Sequence, residues 1–400
     1  MSDLKRLKKV YDKLNNDNLR SRLLKTADML HFRKDIIRMD TNNICNVHCI
    51  MCSSPRDTSV KFLALTDFAK IMDTFGKRTR MLYLSCSYEP LLTPDFHEYV
   101  RCAKAKGIPH VSICTNGLLL NQKTIADLIE SGTDEIIVSF NGFCREDYER
   151  IMKGSDFHKV CDNIKNLQAY KKQHGRTKPA LRINTMLLKS NLLRFDTMLS
   201  FWNKHSIDSI QFREVVQTAP SCDKNELQKE LLRSLEEKEY NKIMTQFQAL
   251  ILDKAPSIEI ILPKGILEKP RQENRSFIGV KKTELVDGKD SKTDSEEATK
   301  IRKGKDSKNV SAEKTEIRKD KYSESVPTKA SCSIPFFSYW IDIEGGVRSC
   351  GFDSKAHIGN AISENSRELQ KRRKEFCKLA LAGECSRELC TMNMESSTIL

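Results

Sequence analysis

Three cysteines fall within eight residues, in Cys45-Asn46-Val47-His48-Cys49-Ile50-Met51-Cys52. Three thiolates on one short loop can hold three irons of a [4Fe–4S] cube, whereas ferredoxin-type carriers normally supply four cysteines per cluster. The fourth iron is then open to a substrate or cofactor. Zinc is the competing metal, since these cysteines and His48 can be drawn as a four-ligand site, although His48 beside Cys49 makes that geometry awkward. A second group, Cys332, Cys350, Cys377, Cys385 and Cys390, lies near the C-terminus. Cys332 is followed by twelve residues, then Gly345, four more, and Cys350. Two short strands about Gly345-Gly346 make a hairpin that brings Cys332 and Cys350 to one region. A helix over Ser366–Leu381 then leads to Cys385 and Cys390. Cys332, Cys350, Cys385 and Cys390 can enclose a second cube. Cys377, inside the helical stretch, reads as a packed or spare thiol, or takes the place of Cys385; a structural zinc is the alternative for the group. The remaining Cys86, Cys102, Cys114, Cys144, Cys161 and Cys222 are scattered singly and read as small buried hydrophobes.

The elements that position these cysteines follow from periodicity. Short apolar runs read as strands at Ile36–Asp40, Met81–Ser85, His110–Cys114, Glu135–Phe140, Leu181–Leu187 and Ser209–Val215. Helical segments lie between them at Phe68–Phe75, Phe96–Ala105, Gln122–Ile129, Phe157–Tyr170 and Leu193–Trp202. Six alternating pairs imply an α/β fold with a parallel sheet, either a partial barrel or a doubly wound sheet. Leu227–Leu252 reads as one long helix and Ser257–Leu262 as a further strand. Residues 1–35 form an amphipathic helical lead-in, with Leu4, Leu7, Val10, Tyr11 and Leu14 at helical spacing. Residues 267–329 are rich in Lys, Glu, Asp, Ser and Thr and are read as a disordered linker or insertion; a tail that docks RNA or a partner is the sharper reading.

Of 400 residues, 39% are hydrophobic and 30% charged, enough for a core and for two or three domains. No apolar run reaches the length of a bilayer span, and no signal peptide is seen, so a cytoplasmic, reducing location is expected, without membrane. Fourteen cysteines in such a compartment point to metal rather than disulfides. The net charge of +14 is spread over the linker and the lead-in, with no basic run interleaved with aromatics, so a solvated surface is expected rather than a nucleic-acid interface.

The three-and-two cysteine spacing in a loop after the first strand resembles the radical S-adenosylmethionine enzymes. That resemblance spans about residues 36–266 and implies a partial (β/α)6 TIM-like barrel. It implies that the open iron chelates the methionine moiety of S-adenosylmethionine and that a 5′-deoxyadenosyl radical takes hydrogen from a substrate; the cofactor carries this chemistry and the protein orients it. Ser87-Tyr88-Glu89-Pro90-Leu91-Leu92 resembles the family's Gly-Gly-Glu-Pro segment, so Glu89 is expected at the methionine amino group, with Ser87 and Tyr88 replacing the two glycines. Thr115-Asn116-Gly117 matches the Thr-Asn-Gly turn beside the cofactor, which adds Thr115 and Asn116. Ser139-Phe140-Asn141-Gly142 resembles Ser-Ile-Asp-Gly, which adds Ser139. Tyr148–Val160 fits the family's next helical segment, with Met152 where relatives often carry Arg. Arg182 and Arg213 on the late strands either face the cofactor carboxylate or lie at the surface, and a thiol such as Cys86, Cys114 or Cys222 near the barrel mouth can return a hydrogen atom or simply pack.

Residues 330–400 resemble the SPASM auxiliary domain or its shorter twitch form. The resemblance implies one auxiliary [4Fe–4S] cluster, about eight irons per chain in all, and a small electron donor such as flavodoxin or ferredoxin. By family frequency the substrate is a peptide or protein side chain, with oxidation of a small sugar-like metabolite as runner-up. A non-catalytic electron carrier or scaffold is the competing class.

Overall fold

The computed structural model describes residues 35–52, 54, 59–85, 87–215, 223–253, 258–263, 338–349 and 357–382. Its strands are β1 (Asp35–Met39), β2 (His48–Cys49), β3 (Thr79–Leu84), β4 (His110–Thr115), β5 (Glu135–Ser139), β6 (Met152–Lys153), β7 (Ala180–Met186), β8 (Ser209–Arg213), β9 (Glu259–Ile261), β10 (Ser338–Ile341), β11 (Gly346–Arg348) and β12 (His357–Asn360). Ten of them form one sheet in the order β12-β11-β10-β1-β3-β4-β5-β7-β8-β9, and β2 pairs only with β6. From β10 through β9 every neighbouring pair is parallel. The sheet's two edges do not meet, so the barrel is open, as the partial-barrel reading expected.

Alternation along the strands decides where the core sits. Ile37, Leu82, Leu84, Val111, Ile113, Ile136, Val138, Leu181, Ile183 and Ile210 are fully buried and form the outer face, under the helices. Those helices answer with apolar stripes: Phe68, Ile71, Met72 and Phe75 of the Leu65–Phe75 helix stand at i, i+3, i+4 and i+7. Phe140, just past β5, packs against the rings of Phe143, Tyr148, Phe157 and Trp202. Beside it, Gly142 has φ of +108°, and a Cβ there would lie 2.3 Å from the Tyr148 backbone nitrogen, so the turn after β5 requires glycine.

The concave face is different. The register sets Arg38 opposite Trp340 and Tyr83, Tyr83 opposite Ser112, Ser112 opposite Glu135, and Asn184 opposite Gln211. A closed barrel of this kind fills its interior with branched apolar side chains. Here charged and polar groups line it, which suits a lumen that holds a polar ligand.

The six strands and five helices read from the pattern are found within a few residues of their expected bounds. Two expected helices are broken. Tyr148–Val160 divides because Met152 and Lys153 leave the helix to pair with Cys49 and His48, and the Asp156 carboxylate caps a new helix by accepting from the Lys159 backbone N–H. Leu227–Leu252 divides into Lys224–Glu230 and Glu237–Asp253. Glu230 is buried there, accepting from the Ser190 backbone and hydroxyl and pairing with Arg150, and Leu231 bridges to Leu188 instead of continuing the helix. Of the single cysteines among the described residues, Cys161 is buried as expected, while Cys102, Cys114 and Cys144 are half-buried.

The C-terminal hairpin forms as expected, with Trp340 opposite Arg348 and Ile341 opposite Val347. Asp342 accepts from the backbone N–H of Glu344 and Gly346 to close its turn. Strand β10 lies directly beside β1, and a helix follows at Ser366–Ala382. The expected lead-in over residues 1–35, all but its last residue, and the linker over 267–329 lie outside the described residues. Among the described residues no helix is long and apolar enough to cross a membrane.

Candidate functional site

The cysteine loop leaves β1 at its C-terminal end and is tied down at almost every step. Asn42 donates from Nδ2 to the Glu89 carbonyl (2.8 Å) and to Thr93 Oγ1 (2.7 Å), and its Oδ1 accepts from the Ile44 N–H. The Glu89 N–H donates to the Ile44 carbonyl. Further on, β2 pairs with β6, so Cys49 sits opposite Met152, and the Ile50 N–H donates to the Ile151 carbonyl. Val47 and Ile50 are buried beneath the loop. The Cys52 N–H donates to the Cys49 carbonyl at 3.1 Å, which turns the chain back on itself.

Cys45, Cys49 and Cys52 are all half-buried on this loop. Burial pushes the Cys45 thiol above its ordinary pKa, and nearby negative charge at Glu89 and Cys52 adds to the rise. Burial pushes Cys49 up further, with the charges of Cys52 and Cys45 contributing. Unliganded thiolate charge is therefore costly at Cys45 and Cys49, and a metal that takes up that charge is favoured there. Among the described residues no three His, Cys, Asp or Glu side chains converge to hold a single ion. The side chain of His48 is exposed. A [4Fe–4S] cube bound on this loop would take Cys45, Cys49 and Cys52 as its ligands.

Glu89 is the hinge of the site. It is 1% exposed. Its carboxylate accepts from Thr115 Oγ1 (2.7 Å), the Asn116 N–H (2.8 Å) and the Leu91 N–H (3.2 Å). Burial raises its pKa to about 7, against those three donors, which favour the charged form. Asn116 Nδ2 donates to Asn46 Oδ1 at 2.7 Å and so reaches into the cysteine loop. Gly117, with φ of +82°, lets the turn close, and Asn163 donates to its carbonyl. The carboxylate of Asp40, at the end of β1, accepts from the N–H groups of Ser87 (3.0 Å) and Tyr88 (3.3 Å). The structure thus brings Glu89, Thr115 and Asn116 together, with their side chains spent on one another and on Asn46.

Ser139 stands at the C-terminal end of β5, half-buried, with Cys114 Sγ 3.6 Å from its hydroxyl. Met152, where relatives often carry Arg, is buried opposite Cys49, with its sulfur 3.8 Å from Asn141 Nδ2. Arg182 does not serve the cofactor end. It pairs with Glu135 and donates to Gln211 on the concave face. Arg213 is exposed at the end of β8. Cys86, Cys222, Cys332, Cys350, Cys385 and Cys390 lie outside the described residues, as does the side chain of Cys377. Asp40, Asn42, Asn46 and the luminal Arg38, Tyr83 and Glu135 were not singled out from the sequence. For Arg38, Tyr83 and Glu135 the signal was present as polar residues at alternating positions within apolar strands.

Residues 39–184 match the model of the radical SAM superfamily. That segment is a radical SAM superfamily domain, and radical SAM fold proteins bind a [4Fe–4S] cluster and S-adenosylmethionine. A GTP 3′,8-cyclase of Lactiplantibacillus plantarum is 31% identical over 148 residues, which cover 36% of this chain and 43% of that protein. The chain spans about half the length of the curated relatives it matches. Streptococcus suis SuiB bound to the precursor peptide SuiA overlays with a TM-score of 0.55 at 14% identity, covering 92% of this chain and 71% of that one. Native anSMEcpe with bound AdoMet overlays with a TM-score of 0.52 at 14% identity, covering 88% and 87%. At such identities the likeness is one of fold.

Replacing Glu89 with Gln tests the hinge. The amide turns a donor toward the Asn116 N–H or the Thr115 hydroxyl. Losing a charge-assisted bond of this kind costs about 1.5–3 kcal/mol. The kcat/KM for S-adenosylmethionine is expected to fall about 10–100-fold, with the cluster's absorbance retained.

Proposed function

We propose that the protein reductively cleaves S-adenosylmethionine and takes a hydrogen atom from a substrate lodged against the concave face of the barrel. The observation that carries this reading is the bracket from Glu89 through Thr115 and Asn116 to Asn46, which locks the cysteine loop to the loops after β3 and β4. An electron carrier has no use for such a bracket. When bound at Cys45, Cys49 and Cys52, a [4Fe–4S] cluster supplies an electron and an open iron. Glu89, Thr115 and Asn116 act by fixing the two loops. Asp40 fixes the Ser87-Tyr88 backbone against the end of β1. Ser139 faces the lumen at the same end and contacts the cofactor directly.

The substrate reading rests on the lumen. Its charged lining supports a small polar metabolite, and the GTP 3′,8-cyclase relatives support the same class. A peptide or protein side chain is the second reading, supported by Streptococcus suis SuiB, a protein of like fold whose structure holds the precursor peptide SuiA. A second cluster on Cys332, Cys350, Cys385 and Cys390, in a SPASM- or twitch-like segment, completes the proposal, with a flavodoxin or ferredoxin as electron donor. The hairpin and helix beside β1 support it.

Anaerobically reconstituted protein, incubated with S-adenosylmethionine and dithionite, is expected to form 5′-deoxyadenosine. Its absence would leave the electron-carrier reading standing. Iron analysis is expected to give about eight irons per chain; four with one zinc would remove the second cluster.

A further inference from the structure

We infer that Asn42 is a positioning residue for the cofactor: it fixes Cys45 at a set distance from the loop that carries Glu89. The inference rests on the reading that S-adenosylmethionine binds where these two loops meet, and it adds the side chain that spaces them.

Three hydrogen bonds form a closed ring. Asn42 Oδ1 accepts from the Ile44 N–H at 3.0 Å. The Ile44 carbonyl accepts from the Glu89 N–H at 2.9 Å. The Glu89 carbonyl accepts from Asn42 Nδ2 at 2.8 Å, which closes the ring. Asn42 Nδ2 also donates to Thr93 Oγ1 at 2.7 Å, and the Thr41 hydroxyl stands 2.8 Å from that same oxygen. Asn42 is 1% exposed, so a partner lost here is not replaced by water. The arrangement takes two donor hydrogens and an acceptor on one short planar group, which a primary amide has. An ionised aspartate has no donor, and serine is too short to span both loops.

Where the ring ends gives it a use beyond packing. Ile44 directly precedes Cys45, and Asn46, which directly follows Cys45, accepts from Asn116 Nδ2. Cys45 is therefore tied on both sides to the loops that hold Glu89, by main chain through the ring and by side chain through Asn116. The sheet does not need this tie. Strands β1 and β3 pair as far as Met39 and Leu84, and the Ser85 N–H donates to the Met39 carbonyl. Opening the ring thus leaves the sheet intact and frees one loop to drift from the other. A misplacement of about 1 Å at a reacting group costs about 100-fold in rate.

The test uses anaerobically reconstituted protein and two variants. Asn42→Ser keeps an acceptor near the Ile44 N–H and loses the donor to Glu89, so it opens the ring with little disturbance. Asn42→Ala removes both. Electron paramagnetic resonance of the dithionite-reduced cluster is recorded as S-adenosylmethionine is added. The wild-type spectrum is expected to change as the cofactor binds. In both variants the concentration that gives half the change is expected to rise at least about tenfold, and 5′-deoxyadenosine formation at saturation to slow about 10–100-fold. Iron per chain and the spectrum before addition are expected to match wild type. Thr79→Val removes a buried hydrogen bond to the Phe75 carbonyl at the start of β3, and it is expected to titrate like wild type. A wild-type titration by folded Asn42→Ser overturns the inference. So does loss of iron from that variant, which would make Asn42 a residue of cluster assembly, or an equal shift in Thr79→Val, which would make the effect one of stability. A wild-type spectrum that ignores S-adenosylmethionine overturns the parent reading, and this one with it.

Discussion

Cys49→Ala, reconstituted with iron and sulfide, is expected to form 5′-deoxyadenosine at least about 10³-fold more slowly than wild type, a barrier increase of about 4 kcal/mol. Cys49 is the best-anchored of the three thiols. Its backbone pairs across to Met152, and its carbonyl accepts from the Cys52 N–H. Burial raises the pKa of its thiol, and the charges of both other cysteines bear on it. Removing it leaves two thiolates for a cube that needs three. Because β2 and β6 pair through backbone atoms, the loop itself should survive the change. Cys49→Ser is expected to fail to the same degree, which separates ligation from packing. Cys102→Ala, on the Phe96–Ala105 helix, is expected to match wild type. Cluster absorbance and product formation, read on one preparation, check all three. A Cys49→Ala variant that cleaves the cofactor at the wild-type rate would remove the basis of the functional reading.

The sequence reading reached the barrel because its strands carry their own signal. The Leu-Arg-Ile-Asn run of β7 alternates apolar and polar positions, the Ile-Ile-Val run of β5 is continuously apolar, and the helices between them have clean stripes. The cysteine loop was legible for a different reason: three thiols at that spacing have few uses other than holding a metal group. What was not legible is where side chains go once the strands align. Glu89 was expected at the cofactor's amino group, yet its carboxylate is spent on Thr115, Asn116 and Leu91, a fact that depends on contacts across 26 residues. Arg182 was a candidate for the cofactor carboxylate, but its partner is set by the diagonal from β5 to β7, which places Glu135 below it. The broken helices fail for a related reason. Local propensity favours continuing through Met152, but pairing of Met152 and Lys153 with the cysteine loop wins.

Asp35→Ala is expected to cost about 3–5 kcal/mol of stability, the usual penalty for removing one partner from a buried ionic group. Asp35 begins β1 and is fully buried. Its Oδ1 accepts from Arg373 Nη1 at 3.0 Å and its Oδ2 from Arg78 Nε at 3.1 Å. Arg373 comes from the Ser366–Ala382 helix, and its guanidinium also lies 4.0 Å from the centre of the Tyr339 ring on β10. Tyr339 in turn packs on Phe75 at 4.7 Å. One carboxylate thus joins the base of the barrel to the C-terminal hairpin and helix. Without it, two guanidiniums face each other, and that of Arg373, on a side chain only 6% exposed, has little access to water. Arg373→Met is expected to cost less, since an apolar chain can take up the stem's packing. The double variant is expected to fall short of the sum of the two losses by more than about 1 kcal/mol, the mark of residues in direct contact. Denaturant unfolding measures all three. The helix leads toward Cys385 and Cys390, so Asp35→Ala is also expected to lower iron from about eight per chain toward four while Cys45, Cys49 and Cys52 keep theirs. Full iron retention at the reduced stability would separate the latch from the proposed second cluster.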